Sequence, residues 1–360
     1  MTNISEQTQK YIKDLSRSVQ EHHAYTTPLT ASLQINKWCN SMCKYCGIWK
    51  NAKNNPPIED IKLAIDELSE LGVHMISLTG GEPFLHNQMP EVVSHMKARG
   101  VISSSMTNGL LLTPRKVVPI LEAGLNSLCV SLDTIDSDTY TRIRGVPLKP
   151  VLKGLEYVSN IRREFKAFFV FSINCVISKQ NIDQIPALVE FCSSLDISMG
   201  FQPLHNSFES RYNPAELQFN EDDLPHIRSQ INHLIKMKQN GFRIDNDIEY
   251  LLGFPEFLVY KQMPKGTVCT AGYTTISIDN ELNVRSCWPM KIIGNLHDCK
   301  LIELWHSSIY NARRLSMLKL ECPKCWLRCH TDYLSVLWVK NLLEKIAIMK
   351  SSSQPVQSEI

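Results

Sequence analysis

Apolar positions between residues 31 and 203 alternate between two periods. Ala31-Ser32-Leu33-Gln34-Ile35, Met75 to Thr79, Val101 to Met106, Ser127 to Leu132, Phe168 to Ile177 and Ile197 to Gln202 are short runs that predict buried strands. Between them, apolar residues three and four apart predict helices. Ile61, Ala64, Ile65, Leu68 and Leu71 make one such face after Pro56-Pro57, and others run at about 89–99, 114–123, 137–142, 149–163 and 182–195. Six strands separated mostly by helices imply an α/β fold with a parallel sheet and right-handed crossovers. Six units fall short of the eight of a closed barrel, so the expected fold is a partial (β/α)6 parallel barrel. Sites in such sheets gather at the C-terminal ends of the strands. Five groups follow predicted strands here: a cysteine-rich loop after Ile35, Gly80-Gly81-Glu82-Pro83, Thr107-Asn108-Gly109, Asp133 and Pro203. One mouth is expected to collect them.

The flanks have different patterns. Residues 1–30 form a polar N-terminal extension with a short helix carrying Tyr11, Ile12, Leu15 and Val19. The stretch before Cys39 is expected to be too short for a separate recognition domain. Residues 206–265 read as a polar connector with a helix near 222–239. Thr274 to Ile278 and Leu282 to Arg285 alternate around Asp279-Asn280, the signal of a β-hairpin. A helix at about 301–319 follows, and residues 336–360 are expected to hold a C-terminal helix and a disordered tail.

Hydrophobic residues make up 43% and charged residues 21%, an ordinary globular composition, and the formal charge of +2 gives no electrostatic case for nucleic acid or a membrane surface. No apolar run approaches the roughly 20 residues of a spanning helix. Twelve cysteines, more than half of them in tight groups and with no secretory signal, argue for metal binding in a reducing cytoplasm rather than for disulfides.

The densest group is Cys39, Cys43 and Cys46, with three and then two residues between them. Three thiolates on one short loop can hold a metal centre, but a closed zinc or [4Fe–4S] site takes four protein ligands. Either a fourth ligand comes from elsewhere, as in a zinc site, or one metal position stays open for chemistry. Farther on, Cys269 and Cys287 bracket the hairpin with 17 residues between them, and Cys322 and Cys325 are separated by two. Two separated pieces carrying four cysteines can close a four-thiolate site, with iron–sulfur or zinc as alternatives. Cys329 or His330 is able to exchange into it. Cys129, Cys175 and Cys192 lie in strand and helix patterns and read as core.

The Cys39/Cys43/Cys46 spacing, with Tyr45 before the last cysteine, resembles the signature of the radical S-adenosylmethionine (SAM) superfamily. Gly80-Gly81-Glu82-Pro83 resembles that family's glycine-rich motif, which implies contact with the SAM amino group. By the same resemblance, Arg144 and Ser131 meet the methionine carboxylate. Asp133 and Asn174 meet the ribose, with the backbone at Gln202-Pro203 beside the adenine and Thr107 and Asn108 near the site. Each of these also reads plainly as a turn or cap residue. The C-terminal cysteines are similar to the truncated SPASM, or Twitch, auxiliary-cluster domain. That places a radical SAM core at 31–205 and a small β-hairpin/helix iron–sulfur domain at 266–335.

What the resemblance implies is an enzyme with a [4Fe–4S] cluster on Cys39, Cys43 and Cys46 and one auxiliary [4Fe–4S] cluster on Cys269, Cys287, Cys322 and Cys325. It would reductively cleave SAM to a 5′-deoxyadenosyl radical that abstracts hydrogen from a substrate C–H bond. An external donor such as flavodoxin or ferredoxin would supply the electron. The expected outcome is oxidation or epimerisation of a small molecule, with Cys299 as a possible hydrogen donor. The alternatives are a peptide-modifying maturase that forms thioether or C–C crosslinks or epimers, a non-enzymatic iron–sulfur carrier, and a zinc-binding module. Gln202, His205, Asn206 and Arg211 are the polar substrate candidates near the mouth.

Overall fold

Six parallel strands lie side by side in chain order: β1 (Thr30–Gln34), β2 (Met75–Thr79), β3 (Ile102–Thr107), β4 (Ser127–Ser131), β5 (Val170–Ile177) and β6 (Ser198–Pro203). The structure is a computed structural model and describes residues 6–51, 55–164, 169–205 and 214–327. Three further strands, β7 (Thr275–Ile278), β8 (Asn283–Arg285) and β9 (Gly294–Asn295), complete one nine-stranded sheet of order β6-β5-β4-β3-β2-β1-β7-β8-β9. This is the partial barrel-like architecture expected from the alternation. Among the described residues the sheet does not close, because β6 and β9 remain its edges. The β6 edge is covered by an extended segment, in which Asp245 N–H donates to the Met199 carbonyl at 2.7 Å and Asn246 bonds both the N–H and the carbonyl of Phe201.

The sequence pattern treats the C-terminal hairpin as a unit of its own, whereas its first strand continues the barrel sheet. Thr30 to Leu33 of β1 pair in parallel with Thr275 to Ile278 of β7, and only β8 and β9 run antiparallel. The single helix expected at about 301–319 is two, Leu301–Trp305 and Ser308–Leu318. Ser307 breaks it by accepting from the Tyr310 N–H as an N-cap.

Alternation sets the two faces of the sheet. Leu33, Ile76, Leu78, Leu128, Val130 and Ile173 are buried in one cluster with helix residues such as Ile65, Leu68, Val93 and Leu155. The opposite, inner face carries small polar residues, half-buried at Ser32, Ser77, Ser104 and Ser127 and buried at Ser277. Register lines up Ser277, Ser32, Ser77, Ser104 and Ser127 across five strands. The apolar face therefore holds the helices on, and the inner face leaves polar room.

A buried carboxylate ties the C-terminal part to the barrel. Glu67, on the helix Ile58–Glu70, accepts from the Leu301 N–H at 2.8 Å and from Lys300 Nζ at 2.6 Å. It caps the helix Leu301–Trp305, whose own cap position, Lys300, offers no oxygen. Glu67→Ala is expected to lower stability by about 1–2 kcal/mol. Amide exchange should quicken at residues 301–305 while β1 to β6 stay protected. Lys300→Ala should be nearly neutral, because that lysine is exposed. Equal loosening of the whole sheet would contradict this assignment.

Candidate functional site

Two loops at the C-terminal ends of β1 and β2 are stitched together by backbone. Ile35 N–H donates to the Thr79 carbonyl, Gly81 N–H to the Asn36 carbonyl and Glu82 N–H to the Trp38 carbonyl, at 2.9–3.2 Å. The Asn36 side chain adds two more bonds, accepting from Gly81 N–H at 2.9 Å and donating to the Glu82 carbonyl at 2.7 Å. A Cβ on Gly80 would lie 2.3 Å from the Asn36 carbonyl oxygen, and one on Gly81 would lie 1.8 Å from that of Trp38. The close approach that these glycines permit is thus to the cysteine loop itself.

Glu82 is buried and accepts three hydrogen bonds, from Thr107 Oγ1 at 2.7 Å, Phe84 N–H at 3.0 Å and Asn108 N–H at 2.7 Å. Burial raises its pKa to about 7 against the pull of these donors. Pro83 is also buried and opens the short turn Pro83–Leu85 that Glu82 caps. The β3 loop reaches the cysteines as well, since Asn108 Nδ2 donates to Asn40 Oδ1 at 2.7 Å and lies 3.5 Å from Cys39 Sγ.

Beneath the loop sits a buried ion pair. Arg144 Nε donates to Asp133 Oδ2 at 2.7 Å, and Tyr45 OH donates to the same oxygen at 2.9 Å. Asp133 Oδ1 accepts from Val176 N–H at 2.9 Å, so both carboxylate oxygens are engaged within the protein. Arg144 Nη1 lies 3.8 Å from Cys43 Sγ. Arg144 closes the helix Ser137–Arg144, whose N-cap Asp136 accepts from Thr139 N–H and whose end Gly145 turns at φ 68°. That helix end grips the loop: Lys44 N–H donates to the Ile143 carbonyl at 2.8 Å and Ser41 Oγ to the Arg144 carbonyl at 3.0 Å. Ser131 and Asn174 face each other in register on β4 and β5, half-buried on the inner face. Gln202 points the same way from β6, and His205 is buried just beyond it.

Among the described residues, no three His, Cys, Asp or Glu side chains converge tightly enough to hold a single metal ion. The three loop thiols do sense one another. Burial pushes Cys39 up to about 12, with Glu82 and Cys43 adding to the shift. Burial also raises Cys43, with Arg144 and a contact to Ser41 pulling the other way.

Cys269, Cys287, Cys322 and Cys325 line one apolar cavity together with Met263, Pro289, Met290, Met317 and Leu320. Burial pushes the Cys269 thiol up to about 12. Two tryptophans fix this cavity in place. Trp288 donates to Ser32 Oγ at 3.0 Å on the inner face of β1. Trp326 stacks on Tyr250 at 5.6 Å and donates to its carbonyl at 2.9 Å. Cys299 lies elsewhere, after β9, where its thiol donates to the Asn295 carbonyl. Cys175 and Cys192 are buried in the core, while Cys129 is half-buried on the inner face of β4. Asn206, Arg211, Cys329, His330 and the segment 336–360 lie outside the described residues.

Residues 33–192, which contain both stitched loops and the Asp133–Arg144 pair, match the radical SAM superfamily profile. That segment is a radical SAM domain. It is the catalytic domain of an enzyme. The chain is 32% identical over 190 residues to GTP 3′,8-cyclase of Lactiplantibacillus plantarum, covering 49% of this chain and 55% of that one. It is 29% identical over 176 residues to the AdoMet-dependent heme synthase of Methanosarcina barkeri, covering 47% and 48%. The chain thus spans about half the length of the curated relatives it matches. Solved structures share the fold more widely. Streptococcus suis SuiB aligns at TM-score 0.67 and 17% identity over 91% of this chain and 78% of SuiB. The anSMEcpe structure with bound AdoMet aligns at 0.60 and 15% over 90% and 100%.

Around this radical SAM domain, the sequence pattern does not single out Asn36 or Ser41. Asn36 offered one available signal, a side-chain amide directly after a strand and before the cysteines.

Proposed function

We propose that the chain is a radical SAM enzyme acting on a peptide, with a second iron–sulfur cluster in its C-terminal part. The observation that carries the peptide reading is the reach of the SuiB likeness. The radical SAM profile ends at residue 192, whereas the SuiB structure bound to its precursor peptide SuiA aligns over 94% of this chain, at TM-score 0.65 and 18% identity. This moves the substrate from the small molecule favoured by the sequence to its stated alternative, a peptide that undergoes crosslinking or epimerisation. Other SuiB and anSMEcpe structures hold SAM, which supports SAM as the cofactor here.

The loop cysteines fit a cubane better than a single ion. Each thiolate of a cubane binds a different iron, so the sulfurs need not converge on one point. Donors already surround them: Ser41 N–H and Asn108 reach Cys39, and Ser41 Oγ and Arg144 reach Cys43. Such donors stabilise thiolates that burial alone keeps protonated. The four cysteines lining one cavity suit a fully protein-ligated cluster. When bound, the loop cluster and SAM supply a carbon-centred radical able to take hydrogen from an unactivated C–H bond.

The chain's own part is placement. Asp133 holds Arg144 rigid, Arg144 and the Ile143 carbonyl hold the loop, and Asn36 fixes the loop against the Gly80–Glu82 turn. The serine-lined inner face offers hydrogen bonds to a polar backbone without presenting a charge.

The test is anaerobic reaction of the reconstituted protein with SAM, a reductant and deuterated substrates. The substrates are peptides encoded by short reading frames beside the gene, and small polyols and amines. The expected result is deuterium in 5′-deoxyadenosine from a peptide, together with a peptide mass change or a changed residue configuration. Deuterium transfer from a small molecule alone would overturn the peptide reading, and absence of SAM cleavage would overturn the whole.

A further inference from the structure

We propose that Asp245 is a specificity residue that pairs with a cationic group of the substrate. The proposal rests on the peptide reading above, which makes that group a lysine or arginine side chain. The segment covering the β6 edge runs parallel to it, with Ile244 bridged to Met199. Met199 N–H donates to the Arg243 carbonyl at 2.9 Å, and Asp245 N–H donates to the Met199 carbonyl at 2.7 Å. Backbone held in this way sends successive side chains to opposite sides. Ile244 is buried in the apolar cluster with the helices, so Asp245 turns to the inner face. There its Oδ2 accepts from Ser198 Oγ at 3.0 Å, and Ser198 is the first inward-facing residue of β6.

Register puts this carboxylate at the end of a row. Ser198 lies opposite Ser172 of β5, Ser172 opposite Cys129 of β4, and Cys129 opposite Met106 of β3. The row is two residues, about 7 Å, deeper than Ser131 and Asn174, which resemble SAM contacts. Every half-buried residue on the inner face of β1 to β6 is uncharged, so Asp245 brings a charge to an otherwise neutral wall. That charge is felt across the row: burial first, with Asp245 adding to it, pushes the Cys129 thiol up to about 11.

Among the described residues no cation pairs with Asp245, and the cations nearest in sequence are committed elsewhere. Arg243 pairs with Asp196, and Lys238 Nζ donates to the Ile244 carbonyl at 2.6 Å. A half-buried carboxylate with only a hydroxyl for a partner carries a desolvation cost that an opposite charge offsets. An asparagine would accept from Ser198 equally well without that cost. The chemistry that complements the carboxylate is an ammonium or guanidinium group, through charge-assisted hydrogen bonds. The neutral serines beside it suit a peptide backbone, so the sheet holds the chain while Asp245 selects the residue.

The test is calorimetric titration of the peptides Ac-Gly-Ser-X-Ser-Gly-NH2 into the full, anaerobically reconstituted, SAM-loaded protein. X is lysine, arginine, norleucine or glutamate, and the blocked ends leave X as the only possible charge. Lysine and arginine are expected to bind at least about tenfold more tightly than norleucine, with glutamate the weakest. Asp245→Asn keeps an oxygen for Ser198 and should erase that preference, leaving norleucine binding, SAM binding, iron content and melting temperature unchanged. No preference for a cation in the wild type, or the same preference in Asp245→Asn, would overturn the proposal. Butylammonium chloride is titrated alongside. If it binds in the wild type but not in Asp245→Asn while no peptide binds, the carboxylate site stands and the peptide reading fails.

Discussion

Alanine at Cys39, Cys43 and Cys46 is expected to abolish SAM cleavage while leaving about half of the bound iron. Two cubanes would give about eight irons per chain in the intact protein and about four in this variant. The reasoning is that the two cysteine groups stand on separate supports. The first hangs from the end of β1 and is held by the Gly80–Glu82 turn and the helix Ser137–Arg144. The second lines a cavity fixed by Trp288 and Trp326, and it does not include any loop cysteine. The reciprocal variant, Cys322→Ala with Cys325→Ala, should also retain about four irons, since it removes two of the four ligands of the other cubane. It should still cleave SAM but fail to complete the substrate reaction. Iron and sulfide analysis with a 5′-deoxyadenosine assay measures both outcomes. Loss of all iron from either variant would show one shared centre, and zinc in place of iron would return the chain to the binding-module alternative.

The barrel was legible because its chemistry is local and periodic. Strand runs such as Met75 to Thr79 alternate strictly, and the buried half of each run packs on helices that have their own 3.6-residue face. Placement of β7 was not legible. Nothing in Thr275–Ile278 says that it will pair with β1 rather than with a sheet of its own, because pairing depends on which edge is open after folding. The helix break at Ser307 was missed for another reason, as a serine within a periodic run reads as a solvent position until its side chain is seen capping Tyr310. In the site, residue types with special chemistry stood out, while the residues that hold them did not. Asn36, Ser41 and Glu67 act through backbone groups distant in sequence, and no spacing rule reaches across those separations. Asp133 and Arg144 were both marked as cofactor contacts; in the structure they bond to each other.

Gly81→Ala is expected to fold, to load iron and to lose SAM binding by about 10²-fold or more. The added Cβ would stand 1.8 Å from the Trp38 carbonyl oxygen and 2.2 Å from its carbon. Both are backbone atoms, so no side-chain rotation relieves the clash and the two loops must separate. Separation breaks Gly81 N–H to Asn36, Asn36 Nδ2 to the Glu82 carbonyl and Glu82 N–H to the Trp38 carbonyl. At about 1 kcal/mol net for each bond, the lost registration is about 3 kcal/mol, which converts to roughly two powers of ten in affinity. The thiols themselves stay on one loop, which is why iron uptake should survive. Gly200→Ala is the matched control on the inner face of β6, where the nearest atom to a new Cβ is the Ile173 carbonyl oxygen at 3.8 Å, an ordinary contact. Asn36→Ala should fall between them, since it removes the side-chain stitches and keeps both loop backbones. Calorimetric titration of SAM into anaerobic protein measures all three. Wild-type affinity in Gly81→Ala would mean that the Gly80–Glu82 turn and the cysteine loop need not be in register for SAM to bind, and the site would then have to be built from other residues.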